Sequence, residues 1–91
     1  MKIYKVTRTD DVGYDEYDAF VCVAPDMETA KNIKPGYRHG LFVALAWDEQ
    51  DGSSNFDTWT CDKNAVKVEL LGIADATFDK TQILLASFNA G

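Results

Sequence analysis

The chain has 91 residues, of which 46% are hydrophobic and 12% aromatic, a composition that excludes an intrinsically disordered protein. A chain of this length forms one domain with room for one sheet and one or two helices. Nine lysines and arginines stand against 15 acids, which gives a net charge of −6. Such a surface repels phosphate backbones on average, so we expect no direct nucleic-acid binding.

The cysteines and the hydropathy pattern indicate a reducing compartment. Cys22 and Cys61 are too few for the disulfide framework of a small secreted domain. Charged residues follow Met1 directly, without the hydrophobic segment of a signal peptide, and no uncharged run reaches the roughly 18 residues of a spanning helix. We therefore expect a cytoplasmic protein with reduced thiols and no membrane association.

Two strands and a short helix are predicted in the first third of the chain. Residues Lys2–Arg8 alternate large apolar and charged side chains, which is typical of a strand. The turn-forming residues 9–15 lead into a second strand at 17–23, so these two strands should form a hairpin. A helix is predicted over about 25–33, because Pro25 suits a first turn and the Lys34-Pro35 pair disfavours a further one.

The middle of the chain is ambiguous. Its seven apolar residues, 41–47, fit either a buried strand or two turns of helix. We favour a strand that returns through residues 56–60 after the long polar loop 48–55. The acids at the start of this loop occupy its first, second and fourth positions, which does not match the alternate spacing of an EF-hand.

Two apolar segments near the end of the chain complete the predicted sheet. Residues 66–72 begin with alternating apolar and polar positions, whereas 83–88 is an uncharged apolar run. Such a run predicts a central strand that is buried on both faces, with 66–72 as its partner and Leu85 in the core. The expected fold is a single α+β domain with a largely antiparallel sheet and one short helix packed on one face.

The sequence offers no convergent set of catalytic groups. His39 is the one histidine, and we interpret it as a solvated loop residue rather than a general base. The apolar neighbours of Cys22 disfavour a reactive thiolate. Two distant cysteines and one histidine do not supply the roughly four ligands of a zinc site. We therefore predict a protein that is not an enzyme and that uses neither a metal nor a cofactor.

Two segments are candidates for binding. The first is an acidic turn that contains Asp10, Asp11, Asp15 and Glu16, with Tyr14 as an aromatic anchor between them. It would bind a basic protein partner, assisted by aromatics at the edges of apolar runs, namely Tyr14, Tyr17, Tyr37, Trp47, Phe56 and Trp59. The second is the acid-free segment 31–39, in which Lys34, Arg38 and His39 would line a pocket for a phosphorylated metabolite or nucleotide. A third interpretation is that these charges only keep the domain soluble.

Both ends of the chain resemble a known group of proteins. The motif Tyr4-x-Val6-x-Arg8-x-Asp10, the stretch 14–21 and the ending Leu-Ala-Ser-Phe-Asn-Ala-Gly at 85–91 are similar to those of small bacteriophage and prophage proteins without an assigned activity. This resemblance implies a phage accessory protein in the host bacterial cytoplasm, and it supplies no site residues. The leading prediction is a non-enzymatic protein that binds and modulates a host protein, for example a nucleic-acid-binding or defence protein. Small-ligand binding is the alternative, and homo-oligomerisation is left open.

Overall fold

The computed structural model describes residues 1–14, 16–49 and 58–89. Within these ranges it contains six strands, one α-helix and one 3-10 turn. They are β1 Lys2–Arg8, β2 Glu16–Ala24, α1 Met27–Lys31, β3 Ile33–Arg38, β4 Leu41–Ala46, the 3-10 turn Lys63–Ala65, β5 Val66–Ile73 and β6 Gln82–Asn89. The expected α+β character is confirmed in outline, although the domain is mainly β. Its one described helix is too short to cross a membrane.

Four strands form an antiparallel sheet in the order β5-β1-β2-β6. The predicted β1–β2 hairpin is confirmed, with Lys2 opposite Ala24 and Thr7 opposite Ala19. The predicted central position of 83–88 is wrong, because β6 is an edge strand that pairs with β2, and β5 lies at the opposite edge. An extra residue, Leu84, shifts the register between Ile83 and Leu85. Ile83 is buried, whereas Leu85 is 62% exposed on the other face and does not belong to the core.

The strands β3 and β4 form a separate two-stranded sheet. Residues 41–46 are a strand, as expected, and they pair with β3. The turn between β3 and β4 is His39-Gly40, in which both residues have positive φ (54° and 81°), as a two-residue hairpin turn of type I′ requires. Of the predicted loop and return strand, residues 50–57 lie outside the described part of the chain, and 58–60 are not a strand.

The helix is shorter than predicted because both of its ends are capped locally. Asp26 accepts a hydrogen bond from the backbone N–H of Thr29 at 2.8 Å and so fixes the first turn. At the other end, the side chain of Asn32 donates to the carbonyl of Glu28 at 2.7 Å. Ile33 therefore leaves the helix and begins β3.

The core lies between one face of the four-stranded sheet and the layer formed by α1 and the β3–β4 hairpin. Tyr4 and Val6 of β1 and Phe20 and Cys22 of β2 point to this side, and Ala30 of α1 packs with them. The indole of Trp59 completes the layer, with its ring centroid 5.2 Å from that of Phe20. The opposite face of the sheet carries exposed side chains such as Lys5 and Leu85.

Candidate interaction surface

Arg8, at the end of β1, is buried and organises the acidic turn. Its Nε and Nη2 donate to the two carboxylate oxygens of Asp10 at 2.6 and 2.9 Å. Its Nη1 donates to Glu16 at 2.7 Å and to the carbonyl of Tyr17 at 3.3 Å. The hydroxyl of Thr60 donates to Asp10 at 2.6 Å. The guanidinium therefore has a bidentate carboxylate and a second acid as partners, the arrangement that a buried arginine needs.

This network lowers the pKa of Asp10 from 3.8 to about 2. The main cause is the hydrogen bond from Arg8, to which the Thr60 hydroxyl and the positive charge of Arg8 add, while partial burial opposes them. The two carboxylates in turn raise the pKa of Arg8. The positive charge of Arg8 thus balances the negative charges of Asp10 and Glu16 within the turn.

The remaining residues of the acidic turn differ from Asp10 and Glu16 in their surroundings. Asp11 and Tyr14 are exposed to solvent, and Asp15 lies outside the described residues. The side chain of Asn89 donates to the carbonyl of Gly13 at 3.1 Å, which attaches the turn to the end of β6. Tyr14 therefore stands at the end of the sheet where β6 finishes.

Four aromatic rings from four strands contact one another in a row, which we call the aromatic strip. Tyr37 of β3 lies 5.6 Å from Phe42 of β4, Phe42 lies 6.3 Å from Tyr17 of β2, and Tyr17 lies 4.9 Å from Phe88 of β6, as measured between ring centroids. All three contacts are edge-to-face, the favoured geometry for aromatic pairs. The inner rings are buried or half-buried, whereas the outer rings Tyr37 and Phe88 are 55% and 45% exposed.

The six aromatics singled out in the sequence divide into different environments. Tyr14 and Tyr37 are exposed, Trp47 is half-buried, Tyr17 and Trp59 belong to the core, and Phe56 lies outside the described residues. Sequence reasoning missed Phe42 and Phe88, because both lie in apolar runs that indicated core strands. The edge position of β6 is what exposes Phe88.

The structure does not bring the three basic candidates together. Lys34 is buried and lines a cavity, Arg38 lies 3.4 Å from the carboxylate of Glu49, and His39 occupies the hairpin turn. Lys34 and Arg38 are four strand positions apart, which corresponds to about 13 Å along β3. The predicted common phosphate pocket therefore has no geometric support.

Metal-ligating and thiol groups are dispersed as well. No cluster of three or more His, Cys, Asp or Glu side chains suited to a metal ion occurs in residues 1–14, 16–49 and 58–89. Neither cysteine is in a disulfide. Burial raises the pKa of the Cys22 thiol to about 11, so this side chain is a poor nucleophile at neutral pH. Cys61 is exposed.

Comparison with known protein families, with curated protein sequences and with solved structures finds no match. The function is therefore inferred from the geometry of the chain itself. The resemblance of its two ends to small phage proteins stays a prediction.

Proposed function

We propose that the protein is a non-enzymatic phage accessory protein that binds and modulates a host protein through the aromatic strip and the exposed Tyr14. The observation that carries this proposal is the exposure of Tyr37 and Phe88 at the two ends of a row whose inner rings are held by the core. Rings fixed in this way lose little conformational entropy when a partner covers them. Tyrosine in particular combines a large contact area with a polar group, and it is enriched among the residues that dominate binding energy.

The charge of the molecule supports a basic partner. The chain carries a net charge of −6, and the exposed Asp11 lies in the same turn as Tyr14. An acidic surface attracts a basic protein over long distances and accelerates its association. A nucleic-acid-binding or defence protein of the host that carries a basic surface would fit this chemistry. In this proposal Asp10 and Glu16 shape the turn and do not contact the partner.

The test is affinity capture from host lysate with variants of the exposed rings. We expect the wild-type protein to retain a stoichiometric partner that the double variant Tyr14→Ala/Tyr37→Ala does not retain. Both side chains are largely exposed, so their removal should lower the free energy of unfolding by only about 1 to 2 kcal/mol, mainly through the lost contact of the Tyr37 ring with Phe42. Leu71→Ala is the matched control, because Leu71 is 51% exposed on β5 at the opposite edge of the sheet.

Two results would contradict the proposal. One is equal retention of the partner by the wild type, the double variant and Leu71→Ala. The other is the absence of any partner whose capture depends on Tyr14 or Tyr37. The alternative, nucleotide binding through residues 31–39, has less support, because Lys34, Arg38 and His39 lie apart.

A further inference from the structure

A cavity of about 150 Å³ lies beside β3 and is lined by Lys34, Trp47, Trp59, Thr60 and Cys61. This volume is several times the roughly 10 to 15 Å³ that one water molecule needs. Lys34 is only 7% exposed, and its backbone is fixed by pairing with Leu45 in the β3–β4 hairpin. None of the described residues that line the cavity is acidic.

Lys34 differs from the other buried cation, Arg8, in what surrounds it. Arg8 has two carboxylates and a backbone carbonyl within hydrogen-bond distance. Among the described residues, the ammonium of Lys34 has neither an ion pair nor a hydrogen-bond acceptor. The ammonium is not a fully buried atom, but the indole N–H of Trp59, which also lines the cavity, is buried and has no hydrogen-bond partner. A cation and a buried donor without an acceptor at one cavity are an arrangement that suits an anion from outside.

The walls of the cavity are already in place. The indole N–H of Trp47 donates to the carbonyl of Lys31 at 3.0 Å. The ammonium of Lys63 lies 5.3 Å from the centroid of the same indole, so a second positive charge is close by. Trp59 is held against Phe20 on its other side. Because these side chains are already ordered, a ligand can bind here without a further loss of side-chain conformational entropy.

A neighbouring hollow of about 490 Å³ shares Trp59, Thr60 and Cys61 with this cavity. Its other lining residues are Arg8 and the three acids Asp10, Glu16 and Asp62. Since Arg8 is already paired with Asp10 and Glu16, the hollow as a whole is not attractive to a second anionic group. The part of a ligand that extends into it should be uncharged or cationic.

We propose that the Lys34 cavity binds a small oxyanion, a carboxylate or a phosphate group, whose remaining part is uncharged or cationic and reaches into the adjoining hollow. The ammonium of Lys34 supplies the charge, and the two indoles supply flat apolar walls. This site is independent of the aromatic strip. It excludes polyanions such as nucleoside triphosphates, because the cavity is small and acids surround its exit.

The test uses tryptophan fluorescence and melting temperature with simple anions. The probes are sodium acetate and sodium phosphate, each compared with sodium chloride at equal ionic strength. We expect a saturable change in the fluorescence of Trp47 and Trp59 and a rise in Tm with at least one of the two anions. The anion that produces the response identifies the recognised group as a carboxylate or a phosphate.

The decisive variant is Lys34→Met, which keeps the length of the side chain and removes its charge. We expect its affinity for the responding anion to fall about tenfold or more, while Lys67→Met, an exposed control on β5, keeps the wild-type response. In chloride alone Lys34→Met should fold with a Tm close to that of the wild type, because no ion pair between Lys34 and a described residue is lost. Lys34→Gln is the second neutral variant if Lys34→Met does not fold, and an undiminished anion response in either variant would overturn the proposal. Absence of a saturable response in the wild type, or equal responses in wild type and Lys34→Met, would overturn it as well.

Discussion

Arg8 occupies a position where the alternation of β1 places an apolar side chain. Tyr4 and Val6 precede it on the same face of the strand, and both are buried. Because side chains two apart share a face, the sequence already contains the signal that Arg8 points into the protein. Its partners Asp10 and Glu16 follow within eight residues, so the compensating charges come from the same hairpin. The acidic turn is therefore in part the counter-charge of one buried arginine.

The ion pair between Arg8 and Asp10 should stabilise the fold in a pH-dependent way. We expect Asp10→Asn to lower the free energy of unfolding by about 1 to 2 kcal/mol at pH 7, a range kept small because Asp10 is partly exposed. Folding lowers the pKa of Asp10 from 3.8 to about 2, so its contribution is present above about pH 4 and is lost as the pH falls towards 2. Urea unfolding of wild type and variant at pH 7 and near pH 2 measures this difference.

The control for this prediction is Asp11→Asn. Asp11 is exposed, so neutralising it should leave stability unchanged or raise it slightly by reducing repulsion in an acidic molecule. If the wild type and Asp10→Asn differed by the same amount at both pH values, the carboxylate charge would not be the stabilising feature.

The two thiols should differ strongly in reactivity. Cys22 is buried with a pKa raised to about 11, whereas Cys61 is exposed. We expect a disulfide reagent at neutral pH to modify one thiol of the folded protein rapidly, and the second only after denaturation. Cys61→Ser should abolish the fast phase, and Cys22→Ala should leave it intact. Two fast phases in the folded wild type would mean that β2 opens readily.

At the scale of the element, β6 separates a buried residue from an exposed one within three positions. Ile83→Ala should lower the free energy of unfolding by about 2 to 5 kcal/mol, because Ile83 packs in the core beside Cys22. Leu85→Ala should cost less than about 1 kcal/mol, because most of the Leu85 side chain is already in water. Chemical denaturation of both variants measures the contrast. Equal losses would place Leu85 in an interface that covers the open face of the sheet.

The local elements could be predicted from sequence, but their arrangement could not. The alternation in Lys2–Arg8 and the apolar run in β6 indicate strands, and both are strands. An uncharged run, however, does not show whether its strand is central or at an edge, since that depends on pairing with a distant β2. Likewise, Pro35 indicated a break, yet it lies within β3. A proline is tolerated there because, within the described part of the chain, β3 pairs on one side alone and has no second ladder to interrupt.

The candidate interaction surface, too, could be predicted from the sequence only in part. Its exposed tyrosines, Tyr14 and Tyr37, could be singled out because they stand beside turn residues. The aromatic strip could not be predicted, because its four rings come from four strands whose proximity is set by the tertiary fold. Lys34 likewise became distinct from Arg38 and His39 only when β3 was placed against the core.

At the scale of the whole molecule, the domain consists of two sheets whose strands differ in the number of hydrogen-bonded neighbours. β1 has a hydrogen-bonded strand on each side, and β2 likewise has β1 and β6. Among the described residues, the strands β3 and β4 pair with each other alone, and a two-stranded hairpin is at best marginally stable by itself. Its stability in this fold comes from packing the half-buried Phe42 and Ala44 against the core of the larger sheet. The hairpin also carries Lys34 and one end of the aromatic strip, so both proposed binding features depend on this docking.

This difference in strand pairing predicts that the β3–β4 hairpin opens more easily than the four-stranded sheet. Under native conditions we expect the amide hydrogens of Tyr4 and Val6 in β1 to exchange about tenfold or more slowly than the bonded amides of β3 and β4. The reason is that exposing the amides of β1 requires separation of the central strands, whereas the hairpin can detach while the sheet stays paired. Hydrogen exchange followed by NMR measures these rates residue by residue.

A ligand or partner that engages Lys34 or Tyr37 should slow exchange in β3 and β4 selectively, because it binds the docked form alone. Equal protection in both sheets would instead mean that the domain opens as one cooperative unit, and the hairpin would then be part of the rigid scaffold.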